Sequence, residues 1–232
     1  MKVFAISDLH LSINNPKPMD IFGENWDNYV EVFVKNWNRK VKDEDVVLIS
    51  GDISWAMKLS EVIPDLQFIS KLRGKKVIIK GNHDYWWHSL TALRNILPEN
   101  MFALQNDAIK FGNNVICGSR GWIAAEDGKF KTEEDEKLYK RELIRMELSL
   151  KTAKELVEEG DNLIVMMHFP PFNSRFQKNE MQELFEKYGV NCVVYGHLHN
   201  AERKQRMKFI KHKIKYFLTS SDHLKHNPVK II

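Results

Sequence analysis

Residues able to bind metal ions or move protons recur at five places in this 232-residue chain. In chain order these places hold Asp8 and His10, then Asp52, then Asn82 with His83 and Asp84, then His168, then His197 and His199. One such residue is structural more often than not, but coincidence across five places is hard to sustain. Carboxylate, amide and imidazole donors without a thiolate suit divalent Mn, Fe or Zn. The set also holds more ligands than one metal ion needs.

Each of these places follows a short apolar run that is typical of a buried strand. The runs are residues 2–6, 45–50, 76–80, 163–167 and 191–195. Because alternate residues at a strand end point to the same side, Asp8 and His10 can reach a common point. The same spacing applies to His197 and His199. In open α/β sheets, sites form at the carboxyl ends of the strands, so we expect these side chains to meet there.

Helical periodicity follows the first three runs, and three strand-loop-helix units in succession predict parallel pairing with right-handed crossovers. The expected helices carry Trp26 to Trp37, run from a cap at Ser60 to Gly74, and run from about Tyr85 to Leu97. Residues 102–104, 108–111 and 115–117 are instead expected to form a small antiparallel meander.

The second half of the chain returns to helices and strands. Thr132 with Asp135 three residues later is a capping-box signature, and it predicts a long helix that ends near Gly160. A further helix is expected from about Asn179 to Tyr188. Residues 208–218 predict one or two closing strands with lysines on their outer face.

Composition predicts a single domain over residues 1–232. Hydrophobic content of 43% is ample for a core, and no Pro/Gly/Ser-rich linker divides the chain. The net charge of +4 suits an anionic substrate but is far from the charge of an obligate nucleic-acid binder. Cys117 and Cys192 are expected to be reduced core residues. With no signal-peptide pattern and no apolar stretch long enough to span a bilayer, we expect a soluble cytoplasmic protein.

In this order and at these intervals, the series D-x-H, G-D, G-N-H-D, H and G-H-x-H resembles that of the calcineurin-like metallophosphoesterase family. The resemblance extends from Asp8 to His199. It implies an α/β fold of four layers, an α/β/β/α sandwich of mixed sheets with helices on both outer faces. It also implies a hydrolase of phosphate mono- or diesters with a dinuclear metal centre and a bridging hydroxide.

The resemblance assigns a role to each motif residue. One metal would be held by Asp8, His10 and His199, and the other by Asn82, His168 and His197, with Asp52 bridging both. His83 would protonate the leaving group, and a hydrogen bond to the Asp84 carboxylate would fix its tautomer. Purple acid phosphatases have a metal-binding tyrosine three residues after the bridging aspartate. Trp55 stands there in this chain, so we do not expect a purple enzyme.

Residues that could read the substrate follow the same motif ends. Trp86 and Trp122 could stack on a base or another planar leaving group, although packing against the sheet is the favoured interpretation for these tryptophans. Arg120, between two glycines, could offer a bidentate fork to a phosphate, the alternative being an exposed loop arginine. The expected substrate is a small phosphoester or a nucleotide.

Other functions fit the sequence less well than phosphoester hydrolysis. The basic segment from Arg203 to Lys215 fits the outer face of strands better than a nucleic-acid interface, so nucleic acid is possible but not favoured. A DNA exonuclease subunit is disfavoured because no capping domain or partner-binding coiled coil is apparent after His199. A catalytically silent, metal-binding interaction scaffold is disfavoured because His83 is present.

Overall fold

Two β-sheets lie at the centre of this computed structural model, which describes residues 1–199 and 208–232. The strands, in chain order, are β1 (Val3–Ile6), β2 (Val46–Ile49), β3 (Lys75–Ile78), β4 (Met101–Ala103), β5 (Ala108–Phe111), β6 (Asn114–Ser119), β7 (Asn162–Met167), β8 (Cys192–Tyr195), β9 (Lys208–Lys211), β10 (Ile214–Leu218) and β11 (Val229–Lys230). The first sheet has the order β11-β1-β2-β3-β4, and the second has the order β5-β6-β7-β8-β10-β9.

Both sheets have a parallel centre and an antiparallel margin. In the first sheet β1 to β4 are parallel, and β11 is antiparallel to β1. In the second sheet β6, β7, β8 and β10 are parallel, whereas β5 and β9 pair antiparallel at the two edges. Since the central strands within each sheet are parallel, their carboxyl ends fall along one edge of it.

Helices cover the outer face of each sheet. They are α1 (Tyr29–Lys40), α2 (Leu59–Ser70), α3 (Leu90–Arg94), α4 (Glu133–Leu156) and α5 (Glu180–Tyr188). The first three contribute to an apolar cluster with the first sheet, and α4 and α5 contribute to another with the second sheet. A third cluster joins the inner faces of the two sheets. This four-layer α/β/β/α sandwich confirms the predicted fold class.

The apolar strand runs reflect burial on both faces. In β1, Phe4 and Ile6 join the cluster beneath the helices, while Val3 and Ala5 join the cluster between the sheets. All four are at most 4% exposed. Because successive side chains of a strand point to opposite faces, a strand inside a four-layer fold needs an apolar residue at every position.

The predicted antiparallel meander is wrong for its first strand and confirmed for the other two. β4 pairs in parallel with β3 in the first sheet, whereas β5 and β6 form a hairpin in the second. Leu104 extends the parallel pairing with β3, since its N–H donates a hydrogen bond to the Ile78 carbonyl. The residues that follow it then cross to the second sheet. Asp107 then accepts a hydrogen bond from the Gln105 N–H. The expected hairpin turn is therefore a crossover.

Two helix predictions also need correction. The helix expected from Tyr85 is limited to α3, because residues 85–88 form tight turns, with the His88 N–H bonded to the Trp86 carbonyl. The helix expected to be capped by Ser60 begins at Leu59, after Lys58.

Other local predictions are confirmed. Thr132 accepts a hydrogen bond from the Asp135 N–H at the start of α4. Both cysteines are buried and free. The closing strands are β9 and β10, but Arg203, Lys204 and Arg206 lie outside the described residues. Across residues 1–199 and 208–232, every helix is too short or too polar to cross a membrane.

Candidate metal centre

The strand ends that carry the predicted ligands meet where the two sheets adjoin. Asp8 and His10 follow β1, and their backbone N–H groups donate to the carbonyls of Gly51 and Asp52 after β2. On the second sheet, the Gly196 N–H after β8 donates to the carbonyl of His168 after β7. Within each sheet these backbone hydrogen bonds join neighbouring strand ends. The polar side chains project from these strand ends.

The backbone at several of these positions lies in the left-handed region. The φ angle is 57° at Asp8, 48° at His10, 51° at Asp52 and 71° at His197. This conformation is uncommon for residues other than glycine and costs about 1–3 kcal/mol at each position. It turns the chain sharply after the strand, so that the side chains face one another. The packed sheets supply the stability that holds these turns.

Asp8, His10 and His199 form one group of potential ligands. Their ligand atoms all lie within 4.8 Å of one another. The Nε2 atoms of His10 and His199 are 3.3 Å apart, and His199 Nε2 is 3.4 Å from Asp8 Oδ1. Two imidazole nitrogens and a carboxylate oxygen therefore face a common point, which is the geometry that a divalent cation requires.

A second group surrounds Asn82. Its Oδ1 is 2.6 Å from His168 Nε2 and 2.9 Å from His197 Nδ1. His168 Nδ1 lies 3.0 Å from the Ser50 carbonyl, to which it donates a hydrogen bond. That bond fixes the tautomer and turns Nε2 toward the site, in the way that backbone partners orient metal-binding histidines.

Asp52 lies between the two groups. Its Oδ2 is 3.4 Å from His168 Nε2 and 4.0 Å from His10 Nε2. Its other oxygen, Oδ1, accepts a hydrogen bond of 2.8 Å from the His83 N–H. The carboxylate is therefore held in place by the backbone while one oxygen faces histidines of both groups.

The charged side chains of the site change one another's pKa values. Burial by itself raises the pKa of Asp8, but the hydrogen bond with His199 and the charge of His168 lower it below its usual range. Burial likewise opposes ionisation of Asp52, and His168 again lowers the pKa. Both carboxyl groups are thus anions, although they are at most 1% exposed. Buried anions this close together require positive charge nearby.

The histidines divide into two kinds. Burial lowers the pKa of His168 and His199, but Asp52 raises the former to about 9, and hydrogen bonds to Asp222 and Asp8 raise the latter to about 10. In His10 and His197 burial dominates, and the pKa falls to about 4. Asp8, Asp52 and Asp222 thus favour positive charge at His168 and His199. Divalent cations fit the site because they supply this positive charge and take the nitrogens as ligands.

Asp84 does not orient His83 as predicted. Its carboxylate accepts hydrogen bonds from the N–H groups of Gly81, Ile53 and Ser54 and from the Trp86 indole. Asp84 is fully buried, and burial together with the charge of Asp52 raises its pKa to about 7. The carboxylate points back into the turn because backbone donors surround it there. Asp84 therefore braces the loop that carries Asn82 and His83.

His83 lies at the rim of the site. It is half-buried, with its ring centroid 4.9 Å from that of Trp55 and 5.7 Å from that of His10. Trp55 also stacks on His10, with centroids 4.7 Å apart and planes inclined by 24°. Trp55, which stands where purple enzymes have a tyrosine, thus packs against the potential ligand His10.

Asp222 is a residue of this site that was not predicted from the sequence. Its Oδ1 lies 3.2 Å from His199 Nδ1, so it orients this histidine and raises its pKa. Asp222 is 5% exposed and follows the end of β10, which runs parallel to β8. An acid shortly after another strand end was the signal that could have revealed it.

The three residues predicted to contact substrate occupy different environments. Trp86 is fully buried and donates to Asp84, so it cannot stack on a substrate, and that prediction is wrong. Trp122 is partly buried and donates to Asp135 over a distance of 3.0 Å. The Arg120 guanidinium lies 4.8 Å from the Trp122 ring centroid. The role predicted for Trp122, stacking on substrate, stays a prediction, as does the phosphate contact of Arg120.

Three glycines immediately precede potential ligands because there is no room for a side chain. A Cβ atom at Gly81 would lie 2.1 Å from Asp52 Oδ1, and one at Gly196 would lie 2.4 Å from Asp8 Oδ2. At Gly51 it would lie 2.8 Å from His168 Nδ1. Each glycine lets a potential ligand from another strand end, in the same sheet for Gly81 and in the other sheet for Gly196 and Gly51, approach the backbone closely.

Comparisons with known proteins agree with this geometry. A model of the calcineurin-like phosphoesterase family matches residues 1–201. An uncharacterized metallophosphoesterase of Helicobacter pylori is 23% identical over 202 residues, which cover 86% of this chain and 44% of that protein. This chain thus spans less than half of that relative's length. A probable cyclic nucleotide phosphodiesterase of Coxiella burnetii is 22% identical over 209 residues, covering 86% of this chain and 76% of that protein.

Solved structures support the fold. A crystal structure from Thermus thermophilus superimposes with a TM-score of 0.62 at 14% identity, covering 99% of this chain and 97% of the other. A protein of unknown function from Aquifex aeolicus gives a TM-score of 0.52 at 16% identity, covering 99% and 95%. At such low identity the likeness concerns the fold alone.

Proposed function

Because this chain belongs to the calcineurin-like phosphoesterase family, we propose that it hydrolyses phosphate mono- or diesters at a centre of two divalent metal ions. Manganese, iron and zinc all suit its donor set. The single observation that carries the proposal is the position of Asp52, with one carboxylate oxygen 3.4 Å from His168 Nε2 and 4.0 Å from His10 Nε2.

Two sets of side chains would hold the metals. One consists of Asp8, His10 and His199, the other of Asn82, His168 and His197, with Asp52 shared between them. When bound, such a pair of cations supplies Lewis acidity toward the phosphoryl oxygens and water of lowered pKa at neutral pH. The described chain supports this chemistry with ionised carboxylates and with histidines oriented from behind by Ser50, Trp55 and Asp222.

His83 is the proposed general acid. Its backbone N–H is bonded to Asp52 Oδ1, which fixes the residue at the edge of the ligand cluster. From there its imidazole can stabilise charge on the leaving oxygen and donate a proton to it. Asp84 acts indirectly, because it holds the loop on which His83 stands.

The test compares Asp52→Asn with Asp43→Asn, an exposed control that removes the same charge. Metal-stripped protein is reloaded with manganese, its metal content is measured, and hydrolysis of a chromogenic phosphate diester and the matching monoester is followed. We expect Asp52→Asn to lose bound metal and more than about 100-fold in kcat/KM, because even supporting residues of metal sites contribute 10- to 100-fold.

Full metal content and turnover in Asp52→Asn would refute the shared-ligand role. Two metals bound to the wild-type protein without cleavage of either ester would argue against an enzyme with broad phosphoesterase activity and favour the interaction scaffold. A diester rate well above the monoester rate would point to a nucleotidic substrate.

A further inference from the structure

A small cavity lies beside the candidate metal centre, at the carboxyl ends of β4 and β6. Its volume is about 260 Å³. In the two sheets β4 is the neighbour of β3, and β6 is the neighbour of β7. The residues that follow β3 and β7 include Asn82 and His168. The cavity therefore lies one strand away from these potential ligands in each sheet. Adjacent strands are about 4.8 Å apart.

The cavity is strongly cationic. We call it the arginine pocket, defined by Lys80, Ser119, Arg120, Arg141 and Arg145. Glu142 is an anion in its described lining, and this buried carboxylate is already bonded to Arg145 at 2.7 Å and to the Gly121 N–H. The other three cations are therefore in excess over negative charge.

Buried polar groups in the pocket lack partners among the described residues. Ser119 is 5% exposed, yet its hydroxyl is unpaired, and so is the buried Nε of Arg120. Native proteins rarely leave such groups unpaired unless a ligand or water completes them. The Ser119 hydroxyl and the Arg120 Nε–H both donate, and their common complement is an oxyanion. Asn106 Oδ1 is the third buried atom of the lining without a partner among the described residues, and as an acceptor it complements a water molecule or the O–H of a hydrogen phosphate.

Two cations of the pocket, Arg120 and Lys80, are held in place before any ligand arrives. The Arg120 guanidinium lies over the Trp122 ring, and the Trp122 indole is anchored by Asp135. The Lys80 ammonium donates to the Trp87 carbonyl at 2.7 Å. The Arg120 carbonyl accepts the N–H of His168, which ties the pocket directly to the metal centre. Groups held in this way lose little entropy when an anion binds.

We propose that the arginine pocket binds a second phosphoryl group of the substrate while the scissile phosphate lies at the metal centre. The substrate class is then a phosphoester with a further phosphate, such as a nucleoside bisphosphate or a nucleoside polyphosphate. Sites for whole drug-sized ligands occupy about 300–1,000 Å³, so a cavity of 260 Å³ suits one group of a larger ligand. This inference rests on the proposed function for its scissile phosphate.

The first experiment measures binding without turnover. Manganese-loaded protein is titrated by calorimetry with alkane bisphosphonates of two to six carbons and with the matching alkyl monophosphonates, which are not hydrolysed. We expect one bisphosphonate length to bind about 10- to 100-fold more tightly than its monophosphonate, which is the effect of one charge-assisted contact. Arg141→Gln and Ser119→Ala should reduce this ratio toward one. Arg141 is exposed, so its replacement should leave folding intact.

Lys154→Gln is the matched control. Lys154 is exposed on the same helix, thirteen residues and therefore about 20 Å from Arg141, and its loss removes the same charge. It should keep the wild-type ratio. A ratio that is equally reduced in Lys154→Gln, or unchanged in both pocket variants, would overturn the proposal. If added inorganic phosphate strengthens monophosphonate binding as much as the second phosphonate group does, the pocket binds a free anion. That result would overturn the proposal.

The second experiment measures catalysis with thymidine 5′-(p-nitrophenyl phosphate), with and without a 3′-phosphate. The 3′-phosphate should raise kcat/KM in the wild-type protein and in Lys154→Gln, and Arg141→Gln should abolish the difference. A wild-type kcat/KM that is the same for both substrates would overturn the pocket's role in this reaction. Absence of all hydrolysis, together with a bisphosphonate preference that depends on Arg141, would refute the proposed function and support the pocket.

Discussion

Gly81→Ala tests whether the close approach of neighbouring strand ends is what forms the candidate metal centre. Gly81 has no positive φ, so an alanine suits its backbone conformation and only space is at issue. The added methyl group would lie 2.1 Å from Asp52 Oδ1 and 2.2 Å from the Asp52 backbone nitrogen. Ordinary contact begins near 3.4 Å. A backbone atom cannot rotate away, so the two loops must separate by about 1 Å.

The expected magnitudes follow from this overlap. Overpacking of a well-packed region costs about 1–3 kcal/mol of unfolding free energy. A displacement of about 1 Å in a catalytic site costs roughly 100-fold in rate. We therefore expect Gly81→Ala to fold with reduced stability, to lose manganese in equilibrium dialysis, and to lose about 100-fold or more in kcat/KM.

Gly160→Ala separates loss of stability from loss of the site. Gly160 has a φ of 87° and open space around its missing Cβ, so alanine there introduces backbone strain without a clash. Such strain costs about 1–2 kcal/mol. Thermal unfolding should then show similar destabilisation of the two variants, with metal lost only from Gly81→Ala. The reasoning is refuted if Gly81→Ala binds manganese and turns over substrate as well as Gly160→Ala does.

Three further predictions concern the surroundings of the site and the core. Asp222→Asn should weaken manganese binding about 10- to 100-fold by calorimetry, because the partner that orients His199 is lost; unchanged affinity would contradict this role. When metal is present at 100 times its Kd, chelating it should lower the unfolding free energy by about 2.7 kcal/mol and the Tm by about 5–10 °C. An unchanged Tm would mean that no metal binds the folded chain. Burial lowers the pKa of Lys76 from 10.5 to about 8. Between pH 8 and 10.5 the unfolded chain thus binds more protons than the folded chain. Over this range the unfolding free energy of the wild type, measured by urea titration, should rise by about 1–3 kcal/mol relative to that of Lys76→Met. A difference between the two proteins that does not change with pH would refute this.

The sequence predicted where ligands would stand because the signal is local. A buried strand must be apolar at every position, so the first polar residues after it mark the carboxyl end of that strand. This is why Asp8, Asp52 and His168 could be placed at strand ends. The four layers and the mixed sheets were implied by the family resemblance, and both the family and the fold are confirmed.

The pairing of strands from distant segments was harder to predict from the sequence. Residues 102–104 resemble any short strand, and their apolar pattern does not specify whether the next strand lies beside them or in the other sheet. The structure places β4 against β3 because the Leu104 N–H continues that parallel pairing, after which the chain crosses to the second sheet. The competing hairpin depended on turn residues alone, which a crossover uses equally well.

What the sequence alone determined is the chemistry of the site: the donor types, their order and the strand ends that present them. Tertiary structure alone decided the direction of each side chain. Asp84 turned away from His83 because the N–H groups of Gly81, Ile53 and Ser54 surround its carboxylate. Asp222 reached His199 from a strand end 23 residues later. Such partners come from segments that meet only when the sheets pack, so no local pattern can specify them.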